Sequence, residues 1–376
     1  MDKFPEEELL ASLQGKATRE DEERVRAWLA ESEENRARHD RFCTAYYRLH
    51  QSAAWHAIDE QRARASLASR YSRRSSRLLY ALSGVAAALL LVAGLWWFTR
   101  WTEEETTLVE TIHGGAHKAT LILHDGREMP LSGSSSVDMG YAQAEDDTLS
   151  GLTYRETGTA PAALEYNTLV VPRGGLYTMT FSDGTRARVN AGSSVRYPVL
   201  FGKGNREIFV NGEIFLDVQR DTARPFLVHA GRVTTRVTGT SFNVMAYEEE
   251  TVTEITLESG AVTVIAGEGE VPLVPGEQAR VENATGQVTR HEVHTAYYTS
   301  WKEGLFDFCG MTLEELCRRL GRWYDVEFRF VAPEARSRTF TGAVKRDNTL
   351  RFMLDFIEKS SGTRFRVRGT TIEVYE

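Results

Sequence analysis

Few side chains in this sequence have types and spacing suited to covalent chemistry, and the most specific is the pair Gly239-Thr240 in Val-Thr-Gly-Thr-Ser-Phe-Asn-Val. A hydroxyl directly after a glycine carbonyl can attack that carbonyl when the peptide is held strained. The chain shifts from amide to ester, and water then cleaves the ester. Glycine permits the unusual backbone angles and leaves its carbonyl unshielded. Read by spacing alone, the pair is a bulge or turn between strands. His113, His117 and His124 are spaced loosely and would not share one face of a strand, so they do not make a metal site; His291 and His294 read as solvated side chains. Ser132 to Ser136 lacks a base partner and reads as loop. There is no phosphate-binding glycine loop, no Cys-x-x-Cys pair and no G-x-S-x-G elbow, so a metabolic enzyme is excluded by motif and no cofactor is expected. Cys309 and Cys317 pair only if folding brings their Cα atoms within about 7 Å. Both are expected as buried small apolar residues.

What must position any chemistry is a chain divided by one apolar stretch, Leu78 to Trp101, with no charged side chain between Leu79 and Phe98. Roughly 20 apolar residues at 1.5 Å rise span the roughly 30 Å hydrocarbon core of a bilayer, and a helix satisfies its own backbone there. Trp96, Trp97 and Trp101 fit one interfacial belt and Tyr80 the other. Arg62, Arg64, Arg70, Arg73, Arg74 and Arg77 precede the stretch, whereas Glu103, Glu104 and Glu105 follow it, which places the N-terminus in the cytoplasm and the C-terminus outside. The net charge of −8 argues against nucleic acid as a direct partner.

The cytoplasmic head, residues 1–77, reads as three short helices. Leu9, Leu10 and Leu13 form one apolar stripe. Thr18 caps a second helix carrying Val25, Trp28 and Leu29, and Ser32 caps a third with Phe42, Ala45, Tyr46 and Leu49. So thin a core suits a clamp completed by a partner; a tiny self-sufficient bundle is the other reading. From Ile112 onward period-two alternation takes over and indicates a β sandwich or roll, in a domain spanning residues 102–300. Asn211-Gly212, flanked by Ile208, Val210 and Ile214, Leu216, is a hairpin signal. Thr120 to Gly126 resembles Thr178 to Gly184, each copy following a Gly-Gly pair and ending in an Asp-Gly turn. Residues 132–167, acidic and poor in large apolar side chains, read as an exposed loop or linker. Residues 301–376 read as a β-α-β-β-α-β-β module, with Thr312 capping its first helix.

Taken in order, these residues resemble the FecR family of membrane-anchored anti-sigma factors, in the form common in Bacteroidetes. The resemblance is carried by Val171-Pro-Arg-Gly-Gly175; Leu176 to Thr185; Val189-Asn190-Ala191 followed by Tyr197-Pro198; Gly212-Glu213-Ile-Phe-Leu-Asp-Val218; Pro225-Phe226; Gly239-Thr240-Ser-Phe242-Asn243-Val244; and Pro275-Gly276-Glu277-Gln278-Ala279. Trp301-Lys302-Glu-Gly304, Arg322-Trp323-Tyr324-Asp325-Val326 and Phe340-Thr341-Gly342 resemble the small module that accompanies that domain. Gly15, Trp28-Leu29 and Glu34-Asn35 resemble its sigma-binding segment. Gly212-Glu-Ile-Phe-Leu-Asp stands where the family more often has alanine and tyrosine, and Leu257-Glu-Ser-Gly260 is slightly altered.

The resemblance implies a multidomain inner-membrane protein: a helical sigma-binding head (1–77), a transmembrane helix (78–101), an all-β FecR domain (102–300) and a C-terminal α+β module similar in kind to the signalling domain of a transducer (301–376). The head, through Leu9, Leu10, Leu13, Val25, Trp28, Leu29 and Phe42, would hold an ECF sigma factor away from RNA polymerase. The periplasmic part, with Trp323, Tyr324, Phe328 and Phe340 as expected contacts, would receive a signal from the signalling domain of an outer-membrane TonB-dependent transducer. Envelope proteases would then release the sigma factor. Some members self-cleave at the bond matching Gly239-Thr240. The competing reading is an envelope sensor that binds a glycan or other ligand directly through an aromatic-lined pocket of the β domain.

Overall fold

A computed structural model describes residues 112–376 except Ala160, Ala162 and Glu268, and in the N-terminal segment Thr18, Glu20, Arg24, Trp28 and Asn35. Thr18, the expected cap, is not helical, whereas Glu20, Arg24, Trp28 and Asn35 are. Asn35 Nδ2 donates to the Trp28 carbonyl at 2.9 Å, and Trp28 is buried. Leu9, Leu10, Leu13, Val25, Leu29 and Phe42 lie outside the described residues, as does the expected crossing at 78–101. Among the described residues no helix is long and apolar enough to cross a membrane.

Nineteen strands among the described residues build the body. They are β1 (Ala116–His117), β2 (Ala119–Ile122), β3 (Glu128–Leu131), β4 (Ser136–Asp138), β5 (Ala142–Asp147), β6 (Gly151–Glu156), β7 (Tyr166–Val171), β8 (Gly175–Thr180), β9 (Arg186–Val189) and β10 (Ser193–Pro198). The rest are β11 (Arg206–Asp217), β12 (Phe226–Ala230), β13 (Val233–Val237), β14 (Ser241–Ala246), β15 (Val252–Ser259), β16 (Val262–Ala266), β17 (Gly269–Leu273), β18 (Glu277–Glu282) and β19 (Val288–Glu292). One sheet runs β3-β2-β7-β10-β11-β12-β13-β16-β17. The other runs β4-β5-β6-β8-β9-β11-β14-β15-β18-β19. Their inward side chains, among them Leu121, Leu169, Tyr197, Ile208, Phe226, Phe242 and Ile255, form one apolar core.

The two sheets share β11, and this corrects the hairpin expected at Asn211-Gly212. The first half of the strand pairs with β10 and β12; from Gly212 onward it pairs with β9 and β14. Gly212 has φ +119°, and a side chain there would overlap Ser193, so the chain bends into the other sheet instead of reversing. The two Asp-Gly turns do reverse the chain, and alike. Gly126 N donates to Leu123 O and Gly184 N to Phe181 O, both at 2.9 Å, with φ +85° and +86°.

Residues 132–167 are not a loop. They supply β4, β5 and β6, an antiparallel meander on the edge of the second sheet. Apart from Leu152 in β6, its buried side chains are small, Ala142 and Ala144, plus Asp146, which accepts from the Tyr177 hydroxyl and, at 2.7 Å, from Gly133 N. A strand that buries alanine and a paired carboxylate carries no strong apolar signal.

The C-terminal part begins with α1 (Ala296–Thr299) and a 3-10 turn (Ser300–Glu303). β20 (Leu305–Thr312), α2 (Leu313–Tyr324), β21 (Glu327–Phe330), β22 (Thr339–Lys345), α3 (Leu350–Ser361), β23 (Arg364–Arg368) and β24 (Thr371–Tyr375) follow, in the expected order. β20 pairs with β22; β21, β24 and β23 form a second small sheet. Thr312 caps α2 in a full capping box with Glu315, and Thr349 Oγ1 accepts from Phe352 N at 3.3 Å to cap α3. Leu313, Leu316, Leu320, Met353, Leu354, Ile357, Ile372 and Val374 are buried between helices and sheets. Cys317 is buried among them and burial pushes its thiol up, but Cys309 is exposed, against expectation; both are free.

Gly212→Ala is expected to cost about 3 kcal/mol or more, from forbidden φ and overlap together, whereas Gly126→Ala, with open space around it, should cost about 1 kcal/mol. Chemical denaturation of the two purified variants measures the difference.

Candidate functional site

The residues of the sequence motifs converge on the joint between the second sheet and the C-terminal part. Phe215, Glu213, Asn243 and Met245 lie on the side of that sheet facing away from the apolar core, yet all are buried. The 3-10 turn accounts for part of this cover: Lys302 Nζ sits 3.8 Å from the Phe215 ring centre and 2.6 Å from Glu258. Glu213 is the hub. Its carboxylate accepts from Asn190 Nδ2 at 2.6 Å and from Asn243 Nδ2 at 3.0 Å. Asn243 Oδ1 in turn accepts from Trp301 Nε1 at 3.1 Å, and Asn190 Oδ1 accepts from Arg346 Nη2 at 2.9 Å.

Arg346 is 3% exposed, just beyond β22, and stacks 3.3 Å from the centre of the Trp323 ring. It also donates to Trp301 O at 3.2 Å, while its own carbonyl accepts from Trp323 Nε1 at 3.1 Å. Burial pulls its guanidinium down to about 9, with Glu213 working against that. Its Nε–H has no partner among the described residues. Charge-assisted hydrogen bonds and cation–π contact therefore hold this cation without a direct carboxylate partner. Tyr247, also buried, donates to Ala191 O at 2.9 Å; burial first and Glu213 second raise its hydroxyl well above the usual range.

The end of α2 forms the second half of the joint. Arg322 lies 3.9 Å from the Tyr247 ring centre and donates to Glu249 at 3.1 Å and Glu250 at 2.9 Å. Burial lowers its pKa, but Tyr247 and Glu250 outweigh that and the net shift is upward. The Val171-Pro-Arg-Gly-Gly175 turn docks here. Arg173 donates to Asp325 at 3.2 Å and to Val326 O at 2.8 Å, and Gly174 N donates to Arg322 O at 2.8 Å. Asp325 adopts φ +54° as the residue after the helix, a conformation short polar side chains tolerate.

The expected contact residues Trp323, Tyr324 and Phe340 are therefore not a docking surface: all three are buried in this joint and in the core of residues 305–374, and Phe328 is half-buried against Phe365. Their rings fill the module's own interior, which periodicity alone does not separate from a surface patch. Sequence reasoning missed Arg346, Arg322 and Arg173 as joint residues. The only signal was a charged residue inside each quoted motif or, for Arg346, directly after an alternating strand.

Gly239-Thr240 lies between β13 and β14. Gly239 has φ +154°, and a Cβ there would fall 2.8 Å from Arg220 Cβ. A Cβ on Gly260 would lie 2.8 Å from Thr240 Oγ1 and 2.9 Å from Gly239 O, so two glycines let three segments meet at this peptide. Thr240 is buried and its hydroxyl donates to Ala261 O at 2.9 Å. No metal-holding group of three or more His, Cys, Asp or Glu occurs among the described residues. A cavity of about 610 Å³ among the described residues is lined by Asp183, Arg206, Gln219, Asp221 and Arg224. Its wall is polar, not aromatic.

Removing Glu213 as Glu213→Ala orphans two buried amide donors and should cost about 3 kcal/mol. Because Asn190 relays it to Arg346, the double variant with Arg346→Ala should depart from additivity by about 1 kcal/mol in chemical denaturation.

Comparison with known proteins finds the family model described as FecR protein at residues 167–263 and the model described as FecR, C-terminal at residues 305–374. Two crystal structures of a proposed anti-sigma factor from Parabacteroides distasonis, at 1.65 and 2.50 Å resolution, are similar to this chain at 29% identity and TM-score 0.52. Each match covers 56% of this chain and 98% or 99% of the other. No curated protein matches.

Proposed function

The chain belongs to the FecR family, and on that premise we propose that it is an anti-sigma factor whose C-terminal part receives the signal and whose N-terminal head holds the sigma factor. The observation that carries this reading is the joint: a module of residues 305–374 docked on the FecR domain mainly through polar and cationic contacts, with the Arg346 Nε–H lacking a partner among the described residues. An interface built this way separates at lower cost than an apolar core, which suits a relay and not a fixed scaffold.

In the fuller form of the proposal the head binds an ECF sigma factor in the cytoplasm, residues 78–101 cross the inner membrane, and the signalling domain of a TonB-dependent transducer engages the periplasmic part. Support for a docking edge comes from β23, which pairs on one side only with β24 and carries Arg364, Arg366 and Arg368 outward. A strand edge of this kind accepts a further strand, and its charge favours an acidic one. The polar wall of the cavity at Asp183 and Arg206 gives the direct glycan-sensor reading no comparable support.

Signal receipt ends in proteolysis. Gly239-Thr240 is the candidate self-cleavage bond. Thr240 Oγ1 would add to the Gly239 carbonyl carbon, its proton passing to the departing amide nitrogen, and water would then hydrolyse the ester. The glycine-only backbone and the tight packing by Arg220 and Gly260 support this assignment.

Full-length protein in detergent should co-purify an ECF sigma factor from the cytoplasm of its host. Failure to retain any sigma factor at low salt would overturn the anti-sigma reading. On denaturing gels the wild type should show two fragments meeting at Gly239-Thr240 and Thr240→Ala only the full-length band; if both stay intact or are cut alike, Thr240 is not the nucleophile.

A further inference from the structure

Residues 112–118 lead into the body, shortly after the predicted crossing ends at Trp101, and they are strapped down by the C-terminal module. Ile112 O accepts from Leu350 N, the first residue of α3, at 3.0 Å. Gly114 and Gly115 lie so close to the Trp323 indole that a Cβ on either would overlap it. Gly115 has φ +74°, so this is also a backbone conformation that glycine favours. Beyond the indole, Ala116 N donates to Gly174 O at 3.0 Å, two residues pair with β8, and His117 stacks 4.4 Å from the Tyr177 ring. The same last turn of α2 that grips this segment through Trp323 also docks on the body through Arg322 and Asp325. Undocking the module therefore removes the holds on Ile112, Gly114 and Gly115 in one event and leaves the segment fastened only by the short pairing of Ala116 and His117 with β8.

His113, Ala116, His117 and Lys118 are exposed, and few backbone bonds fasten the stretch. Endoproteases bind substrates as extended, locally unfolded chain, so a segment with accessible side chains but a strapped backbone is poised for cleavage and protected only by its strap.

We propose that residues 112–118 are a processing site for an envelope endoprotease, closed while Trp323 and α3 hold them and opened when the C-terminal module lifts from the body. Hydrolysis adds water across one peptide bond of this stretch and severs the body from everything before it. The proposal deepens the anti-sigma reading by naming where its proteolytic step is gated, but it concerns the described body alone.

The test is limited proteolysis of full-length protein in detergent with thermolysin, with new N-termini between residues 112 and 119 quantified by mass spectrometry. Gly115→Ala should raise the cleavage rate in this stretch about tenfold, since cleavage tracks the population of the opened segment. Gly126→Ala, also a positive-φ glycine but with open space around it, should leave the rate there unchanged. Arg173→Ala removes the ties to Asp325 and Val326 without touching the segment, and should raise the rate several-fold while cleavage within 166–300 stays at the wild-type level. Wild-type rates at 112–118 in both Gly115→Ala and Arg173→Ala would overturn the proposal, as would faster cleavage spread evenly over the body. Sigma capture by the same preparation is read separately, so loss of one result does not decide the other.

Discussion

The burial of one carboxylate and one guanidinium, joined through a single asparagine, is the constraint on which the rest of this architecture depends. Glu213 and Arg346 do not touch; Asn190 accepts from the cation with its oxygen and donates to the anion with its nitrogen. An isolated buried charge costs several kcal/mol, so each must be supplied with partners by the element opposite it. The body supplies Asn190, Asn243 and Glu213; the C-terminal part supplies Arg346, Trp301 and Trp323. Neither half is complete without the other.

This constraint explains why the strands beneath the joint look unusual. β14 and β15 are buried on both faces, one apolar and one polar: Phe242, Val244, Ile255 and Leu257 point to the core, while Asn243, Glu254 and Thr256 lie on the other side. Burial raises the pKa of the Glu254 carboxyl, and Arg280 answers it at 3.0 Å. A sheet face that buries polar residues needs a partner surface that satisfies them, and the sequence after residue 296 provides it. It also explains why the chain leading into the body is held from above: Trp323, fixed by Arg346, is the surface on which Gly114 and Gly115 rest.

Much of the framework was legible before any coordinates. Alternation placed the strands, the Asp-Gly pairs placed two equivalent turns, and Thr312 announced the start of α2. The misreadings share one cause, which is that local pattern does not state what lies opposite. Asn211-Gly212 has the chemistry of a two-residue turn, but Ser193 beside it and β14 ahead of it turn the strand into a bend. Residues 132–167 are poor in large apolar side chains, yet Leu152, Ala142, Ala144 and a hydrogen-bonded Asp146 suffice for an edge meander. Trp323, Tyr324 and Phe340 recur in a motif, and recurrence alone does not say whether an aromatic faces a partner or its own core.

The amino-acid sequence by itself determined what is periodic or local: the mostly β character, the two-helix module at the end, the turn positions and the motif order that places the chain among FecR proteins, because side-chain alternation and capping act over a few residues. Only the tertiary structure decided how those motifs are used. Asn190, Glu213, Asn243, Trp301, Trp323 and Arg346 are distant along the chain, and each alone is an ordinary polar or aromatic residue. They become one joint because burying charge in a folded protein requires partners that only long-range packing can bring within hydrogen-bonding distance.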